Sequence, residues 1–511
     1  LLEEERKFTV PDGFSMPELS AAAPSGGRVV PLPAVTLRAT YYDTPDRRLA
    51  RAGVSLRHRK GEAAQKAWTV KLPSDVPGVR HELSRPGAPT EIPPELAALV
   101  TVYQRGATLA PVVLLRTVRR AYEVRDKADV VLAEVADDTV SVIEARRTVM
   151  RFREIEIERK EGKPKVLDAV EVLLRRSGAR GGIFMPKHQR ALGKPAQEPP
   201  DLPPPGAMPR KPTAGEVVAL AVRGDISRIF AYDPFVRLRQ DLPDGDTPVH
   251  QMRVGARRLR SDLRSFGPLL DPAWSSTIDG ELRWLAAALG KARDAEVLRA
   301  RLRSTADADP LAPLDEAAVQ RIDAELTVRH EEALTALDAV LTSPRYVALL
   351  DLLIEAARAP RLAPDAGAAA RDALPALVLK PWRKLVHGGG AAPGAGGLLQ
   401  AGPDDEWHEV RIRGKRARYA TDAVASVIGG GAAALAVALA RVQDLLGEHQ
   451  DAAVAADTWL EIAQSDPDDH ALAVTAGRLY ERERASVRQA RGNFPAAWRD
   501  ATKKKVSAWL S

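Results

Sequence analysis

Two hydrophobic rhythms divide the chain. Up to about residue 195, apolar and polar positions alternate in short runs: TVKL at 69–72, YEV at 122–124, VVLAEV at 130–135 and FREIEIE at 152–158. That period of two predicts strands with one buried face. In EIEIE the alternation is strict, with Glu154, Glu156 and Glu158 on one face and Ile155 and Ile157 on the other. Beyond Pro212 the chain becomes Ala-, Leu- and Arg-rich with helical spacing, broken at 241–248, 306–313 and in the Gly/Ala-rich stretch 387–397. The Pro-rich stretch from Gly193 to Pro212 separates the two rhythms, and its prolines remove backbone donors and favour an extended linker. The pattern predicts a strand-rich α+β domain over residues 1–195, a linker over 196–212 and an all-helical domain over 213–511.

Charge sharpens this division. The 511 residues carry a formal net charge of +7, of which residues 1–195 hold +9 and the remainder −2. The positive excess therefore belongs to the strand-rich part and points to an anionic partner. Zero cysteines exclude a disulfide scaffold, thiolate-bound zinc, an iron–sulfur centre and thiol catalysis. No run of about 18 apolar residues stands out, so no membrane span is expected. LLEEERKF is charged where a signal peptide would be basic and then apolar, and the expected compartment is the cytoplasm.

The strand-like segments place charge on one face each. Glu3, Glu5 and Lys7 project together, Arg57 and Arg59 share a face, Lys71 lies opposite Trp68, Val70 and Leu72, and Arg119 opposite Val118, Tyr122 and Val124. Any one of these could be the solvated face of an antiparallel strand. Taken together, carboxylates gather on some strands and Arg/Lys on others. If the sheet closes, the charged faces line a lumen. Carboxylates hold a hard cation and guanidinium or ammonium groups hold phosphate oxygens, so a metal–triphosphate satisfies both sets.

The order of motifs resembles the CYTH, or triphosphate tunnel metalloenzyme, family. It runs from ExExK at Glu3–Lys7 through YYDTPDRRLARAGVSLRHRKG (41–61), WTVKL (68–72), RTVRRAY (116–122), LAEVADD (132–138) and EIEIE (154–158) to MPKHQRAL (185–192). The resemblance implies an antiparallel β-barrel tunnel that binds Mg²⁺ or Mn²⁺. Its metal ligands would be Glu3 and Glu5 with carboxylates of the EIEIE strand, foremost Glu156 and Glu158, and the acidic segment of Glu134 and Asp138. Lys7, Arg57, Arg59, Lys71, Arg119 and Lys187 would bind the triphosphate, with Glu3, Glu5, Lys7, Glu156 and Glu158 as the catalytic set. Whether Asp137 or Asp138 faces inward, and which EIEIE carboxylates ligate, depends on the strand register. The implied reaction is two-metal hydrolysis of inorganic triphosphate or a related triphosphate. The alternatives are a class IV-type adenylate cyclase and a non-catalytic polyphosphate-binding scaffold.

The helical half contains a repeat. VHQMRVGARRLR (249–260) aligns with WHEVRIRGKRAR (407–418), matching His250 with His408, Arg253 with Arg411, Arg257 with Lys415 and Arg260 with Arg418. Each set lies on one helix face. Downstream, LGKARDAEV (289–297) aligns with LGEHQDAAV (446–454), bringing Gly290 and Asp294 into register with Gly447 and Asp451. Each stripe could be a solvated face bridged to such aspartates, but repetition allows pseudo-symmetry to bring both stripes to one groove. Arg264 extends the first stripe where the second has Asp422. The pattern resembles the CHAD (conserved histidine α-helical) family. It implies a helical bundle with an internal two-fold repeat, halves at about 213–385 and 400–511, and binding of inorganic polyphosphate along the stripes, with cytoplasmic granules of that polymer as a location. Aromatic residues make up only 5% of the chain, which argues against a nucleic-acid stacking platform. His449 and His470 read as surface residues, and Trp284 and Trp459 as core.

Overall fold

The alternating segments form a sheet that closes on itself. The computed structural model describes residues 2–11, 13–61, 67–74, 76–181, 185–243, 245–387, 390–393, 397–466 and 468–510. The chain divides into two compact units, Leu1–Leu202 and Pro203–Ser511. The first holds strands β1 (Leu2–Thr9), β2 (Arg28–Pro31), β3 (Val35–Asp43), β4 (Ser55–Lys60), β5 (Trp68–Pro73), β6 (Val79–Arg85), β7 (Ala110–Arg125), β8 (Val131–Glu144), β9 (Arg147–Arg159) and β10 (Arg180–Gly181). Its helices are α1 (Arg48–Arg51), α2 (Pro94–Leu99), α3 (Thr101–Gln104), α4 (Pro164–Arg176) and α5 (Lys187–Leu192). The sheet runs β1-β6-β5-β4-β3-β7-β8-β9 and returns from β9 to β1, with β10 added on β1 and β2 on β7. The β8–β9 hairpin turns through Ala145 and Arg146 at φ 46° and 65°, the left-handed pair that matches the twist of a tight hairpin.

Register decides what faces inward, because residues directly opposite one another share a face. Glu5 lies opposite Glu158 and Lys7 opposite Glu156. Glu134 pairs with Glu158 and Asp138 with Glu154, Arg119 with Asp138, and Lys71 with Ser55 and Glu82. These residues form one interior. On the outer face Phe8, Val124, Val135, Ile155 and Ile157 pack against Leu167, Val170 and Leu174 of α4, so the apolar half of the alternation is buried by a helix. Towards one end the inward positions become apolar, with Ala39, Tyr41, Leu115, Val140, Val142 and Phe152 clustered beside Ala191 of α5.

The second unit contains α6 (Ala214–Leu238), α7 (Pro248–Ser265), α8 (Pro272–Ala306), α9 (Glu316–Leu341), α10 (Pro344–Arg358), α11 (Ala370–His387), α12 (Asp404–Ile428), α13 (Gly430–Ser465), α14 (His470–Ala501) and α15 (Lys504–Ser507). Neighbours pack in matching series, α6–α7–α8–α9 and α11–α12–α13–α14, and α7 also packs on α12. Close approach is built into both stripe helices. A Cβ on Gly255 would meet Asp225 O of α6 at 3.1 Å, and one on Gly414 would meet Gln443 of α13 at 2.7 Å.

The structure corrects three expectations. Residues 196–202 are not free linker: Ala196 is fully buried, and Asp201 is held by Arg51 at 2.9 Å and by Arg105. Residues 370–387 form α11, which packs on α12 as α6 packs on α7, so a half ending at 385 separates paired helices; within the Gly/Ala-rich break, 388–389 and 394–396 lie outside the described residues. A long apolar helix does exist: α13 has the length and composition to cross a membrane, at a mean hydropathy of 1.2. Its Ala432, Leu435, Leu439, Val442, Leu446, Ala452 and Trp459 are buried in the helical unit.

Candidate functional site

The barrel interior is a cavity of about 170 Å³ lined almost entirely by charge. Among its walls are Glu3, Glu5 and Lys7 from β1, Arg57 and Arg59 from β4, Lys71 from β5, Arg119 from β7, Glu134 from β8, Glu156 and Glu158 from β9, and Lys187 from α5. Asp138 joins this face and is fully buried, accepting from Arg119 Nε at 2.9 Å and Lys187 Nζ at 2.5 Å. Asp137 points the other way, onto Arg153 at 2.8 Å. The register thus turns Asp138 inward.

Lys7, Lys71, Arg119, Lys160 and Lys187 each reach a carboxylate. Lys71 bonds Glu3 and contacts Glu82 at 3.0 Å. Lys7 bonds Glu156 and lies 3.8 Å from Glu5. Arg119 also reaches Glu156 at 3.3 Å and Glu134 at 3.7 Å. Lys187 touches Glu156 at 2.7 Å and Glu154 at 3.5 Å, and Lys160 holds Glu158 at the more open side.

Burial and these pairs set the protonation states. Desolvation opposes the charges of Lys7 and Lys187, but the surrounding carboxylates outweigh it and raise both amines above the ordinary lysine range. Burial likewise opposes ionisation of Glu156, yet Lys187, Lys7 and Arg119 hold it well below the usual carboxylate range. For Glu3 and Glu154 burial prevails and the carboxyls are raised.

The donor set is hard oxygen throughout, and buried Glu154 Oε1 is paired with Lys187 at 3.5 Å without accepting a hydrogen bond, so the lumen's chemistry fits a hard divalent cation. Among the described residues no three His, Asp or Glu side chains stand together as a preformed cage. The six carboxylates expected as ligands (Glu3, Glu5, Glu134, Asp138, Glu156, Glu158) are spread around the wall and turned to basic partners.

Several lining residues escaped the sequence reading, among them Lys160, Ser55, Ala136 and Pro186. Arg80 and Glu82 on β6 complete the ring, Arg80 donating to Gly53 O at 2.9 Å. Tyr41 on β3 stacks on His188 of α5 at 5.0 Å. Burial, reinforced by the neighbouring Arg80 and Lys7, pushes His188 down to about 3, so it serves as a neutral wall. The Arg-Glu alternation in VRHELSR was the available signal, interrupted on its other face by His81.

In the helical unit the stripes converge only at their middle. Arg253 and Arg257 of α7 and Arg411 and Lys415 of α12 meet where these helices pack, and Arg257 Nη2 approaches Tyr419 Oη at 3.4 Å. Arg253 is bridged to Asp294 at 2.8 Å and Arg411 to Asp451 at 3.8 Å. The outer positions are drawn aside: Arg260 and Arg264 bind Asp279 at 3.0 and 3.1 Å, and Arg418 reaches Asp422 at 3.6 Å. His250 faces Asp246 at 3.9 Å, and His408 Nδ1 is 2.5 Å from Gln450 Oε1. Burial first, then Arg257, Arg411 and Arg253, push Lys415 down to about 6.

His449 departs from its expected surface place. It is 2% exposed, accepts from Arg491 Nε at 3.0 Å and stacks on Trp407 at 5.3 Å. Trp459 is fully buried, whereas Trp284 is half-buried beneath the Arg345 guanidinium at 4.4 Å.

Known proteins resemble this chain in both halves. The CYTH domain family matches residues 1–179 and the CHAD domain family residues 220–460. An uncharacterised protein of Mycobacterium tuberculosis is 32% identical over 531 residues, spanning 98% of this chain and 96% of its own length. PptA from Streptomyces chartreusis is 24% identical with a TM-score of 0.44, covering 56% of this chain and 99% of its own. The CHAD domain from the plant Ricinus communis is also 24% identical, with a TM-score of 0.41 and coverage of 56% and 94%.

Proposed function

The chain belongs to the family that joins a CYTH domain to a CHAD domain, and from that premise we propose that it is a metal-dependent triphosphatase carrying a polyphosphate-binding helical unit. The observation that carries the reading is the barrel lumen, where carboxylates and basic side chains interleave and neutralise one another. A metal–triphosphate offers both sets better partners: its oxygens for Lys7, Arg57, Arg59, Lys71, Arg119 and Lys187, its cation for Glu3, Glu5, Glu156 and Glu158. CYTH domains are triphosphatases or cyclases and generally depend on divalent metal.

In this reading Mg²⁺ or Mn²⁺, when bound, supplies Lewis acidity to the phosphoryl oxygens. The protein's own part is electrostatic. Arg57, Arg59 and Arg119 keep their charge at any working pH and stabilise the negative charge spread over the transferring phosphoryl group. Lys7 and Lys187 release Glu156 and Asp138 as they turn to phosphate. The apolar end formed by Leu115, Val140, Val142 and Phe152 keeps one side of the lumen dry, which strengthens each of these interactions.

Phosphate release from inorganic triphosphate, thiamine triphosphate and ATP with Mg²⁺ or Mn²⁺ tests the assignment. Glu5→Ala and Arg57→Ala are each expected to lose about 10²-fold or more in kcat/KM. Equal activity in wild type and both variants would remove the site. Cyclic AMP as the product from ATP would favour a cyclase, and tight polyphosphate binding with no turnover of any triphosphate a scaffold.

A further inference from the structure

The cation cluster of the helical unit contains one member unlike the rest. Arg253, Arg257 and Arg411 are guanidinium groups that stay charged in any protein setting. Lys415 occupies the place that Arg257 holds in the other half, and only its amine can shed a proton. Arg411 lies one helical turn before it and Tyr419 one turn after, while α7 brings Arg253 and Arg257 from the facing side. Asp294 and Asp451, the nearby acids, engage Arg253 and Arg411. Within the described residues Lys415 itself makes no hydrogen bond or ion pair, and its side chain is half-buried and reachable.

We propose that Lys415 is an acylation site for acyl phosphates, with Arg253, Arg257 and Arg411 docking the phosphate and presenting the acyl carbon to Nζ. This deepens the reading of the groove as an anion site and rests on it. The Nζ lone pair attacks the acyl carbon and an N–C bond forms. The C–O bond to phosphate breaks, phosphate leaves with that electron pair onto the three guanidiniums, and the amine's proton passes to water. The product is a neutral amide and inorganic phosphate. Two features of the site serve this step. Burial first, and then the like charges around it, hold the amine in the neutral, nucleophilic form near pH 7, whereas roughly one ordinary lysine in a thousand is neutral there. The same charges concentrate an anionic donor. Acylation would also prevent Nζ from taking up a proton when a polyanion binds, weakening the groove's hold on polyanions.

The test is time-resolved mapping of acetylation on the full-length protein by mass spectrometry, with acetyl phosphate at pH 7.5 as the probe. Lys415 is expected to react at least about tenfold faster than exposed Lys503, Lys504 and Lys505, the gain in neutral amine being offset in part by its lower basicity. Inorganic triphosphate should suppress the reaction at Lys415 alone, and Arg257→Gln should slow it while leaving it faster than at the surface lysines. A parallel series with the uncharged donor p-nitrophenyl acetate separates docking from basicity, and the Lys415 preference should be several-fold smaller there. Lys415 reacting no faster than the surface lysines would overturn the proposal, even if direct titration shows that the groove binds polyphosphate. A preference that triphosphate leaves untouched would overturn the docking that both readings share.

Discussion

Lys187 is 11% exposed and carries three carboxylates at once: buried Asp138 at 2.5 Å, Glu156 at 2.7 Å and buried Glu154 at 3.5 Å. Removing it leaves those charges without their common partner, which for a buried pair costs about 3 kcal/mol or more. Lys187→Met should therefore lower the stability of the barrel unit by about 3 kcal/mol at pH 8 in urea denaturation. The sign of its pH dependence follows from the carboxylates. Without the ammonium group their folded pKa values rise above the unfolded ones, so the native state takes up protons and the deficit should shrink towards pH 5. An unchanged midpoint at pH 8 would mean that Arg119 and Lys7 suffice. Much of this ring was legible from alternation, since charged residues at i and i+2 opposite apolar ones place Glu3, Glu5, Lys7, Arg57 and Arg59 on inward faces. What alternation cannot provide is the parity of a segment such as ADD. Asp138 faces inward because β8 and β9 pair Glu134 with Glu158 and Asp138 with Glu154, a long-range fact. His188 carried no signal at all, because its place depends on α5 bringing it onto Tyr41.

At the scale of elements, the α7–α12 contact makes charge at Lys415 conditional. With the amine pushed down to about 6, it is mostly neutral at pH 7.5, and a bound polyanion would draw a proton back onto it. Polyphosphate affinity should then fall as pH rises from 6 to 8, by up to about tenfold per pH unit for one linked proton. Lys415→Arg should flatten that slope, as titrations at pH 6, 7 and 8 would show; parallel slopes in the two proteins would place the linkage elsewhere, with His250 the next group to examine. Beneath the same helices, buried Asp225 of α6 and Asp262 of α7 lie beside each other, with Arg258, Arg228 and Asp422 around them. Burial first pushes Asp225 up to about 7 and Asp262 well above the ordinary carboxylate range. These carboxyls keep protons that the unfolded chain releases above about pH 4, so their contribution to stability declines as pH rises from 5 to 8. Asp262→Asn preserves a hydrogen-bonding side chain and removes the titration. It should be about 1–2 kcal/mol more stable than wild type at pH 8 and nearly equal at pH 5, and equal stability at both values would contradict this account. The repeat of VHQMRVGARRLR exposed the pairing of α7 with α12, yet the halves were divided too late. Pro375 and Pro381 lie inside α11, and with the glycines that follow they obscure a helix that packs on α12 in the way α6 packs on α7.

For the whole molecule, the split of +9 and −2 across the chain becomes two different ways of presenting positive charge, each within its own unit. In the barrel, basic side chains are gathered in a lumen against nearly as many carboxylates, so the domain's excess lies largely outside it; in the helical unit positive charge is a local cluster drawn from a balanced background. The division falls between Leu202 and Pro203, inside the stretch whose prolines marked it, but the last residues before it are tied down. Asp201 lies 2.9 Å from Arg51 and 3.6 Å from Arg48 and bonds Arg105, and Arg51 Nη2 donates to Pro199 O at 2.7 Å. Composition could not distinguish a proline-rich strap fastened by arginines from a proline-rich linker, because the fastening residues are far away in sequence. Exposed backbone with few contacts is where proteases cut first, so brief trypsin treatment should cleave after Arg210 and spare Arg51 and Arg105. The products expected by mass spectrometry are one fragment ending at Arg210 and one beginning at Lys211. The first should retain triphosphate hydrolysis and the second polyphosphate binding. Asp201→Ala should release the strap and make Pro199–Leu202 accessible to a protease of broad specificity, without shifting the trypsin site. Early cleavage within the barrel or within α6, with 203–212 intact, would show that these residues are held as firmly as the units they join.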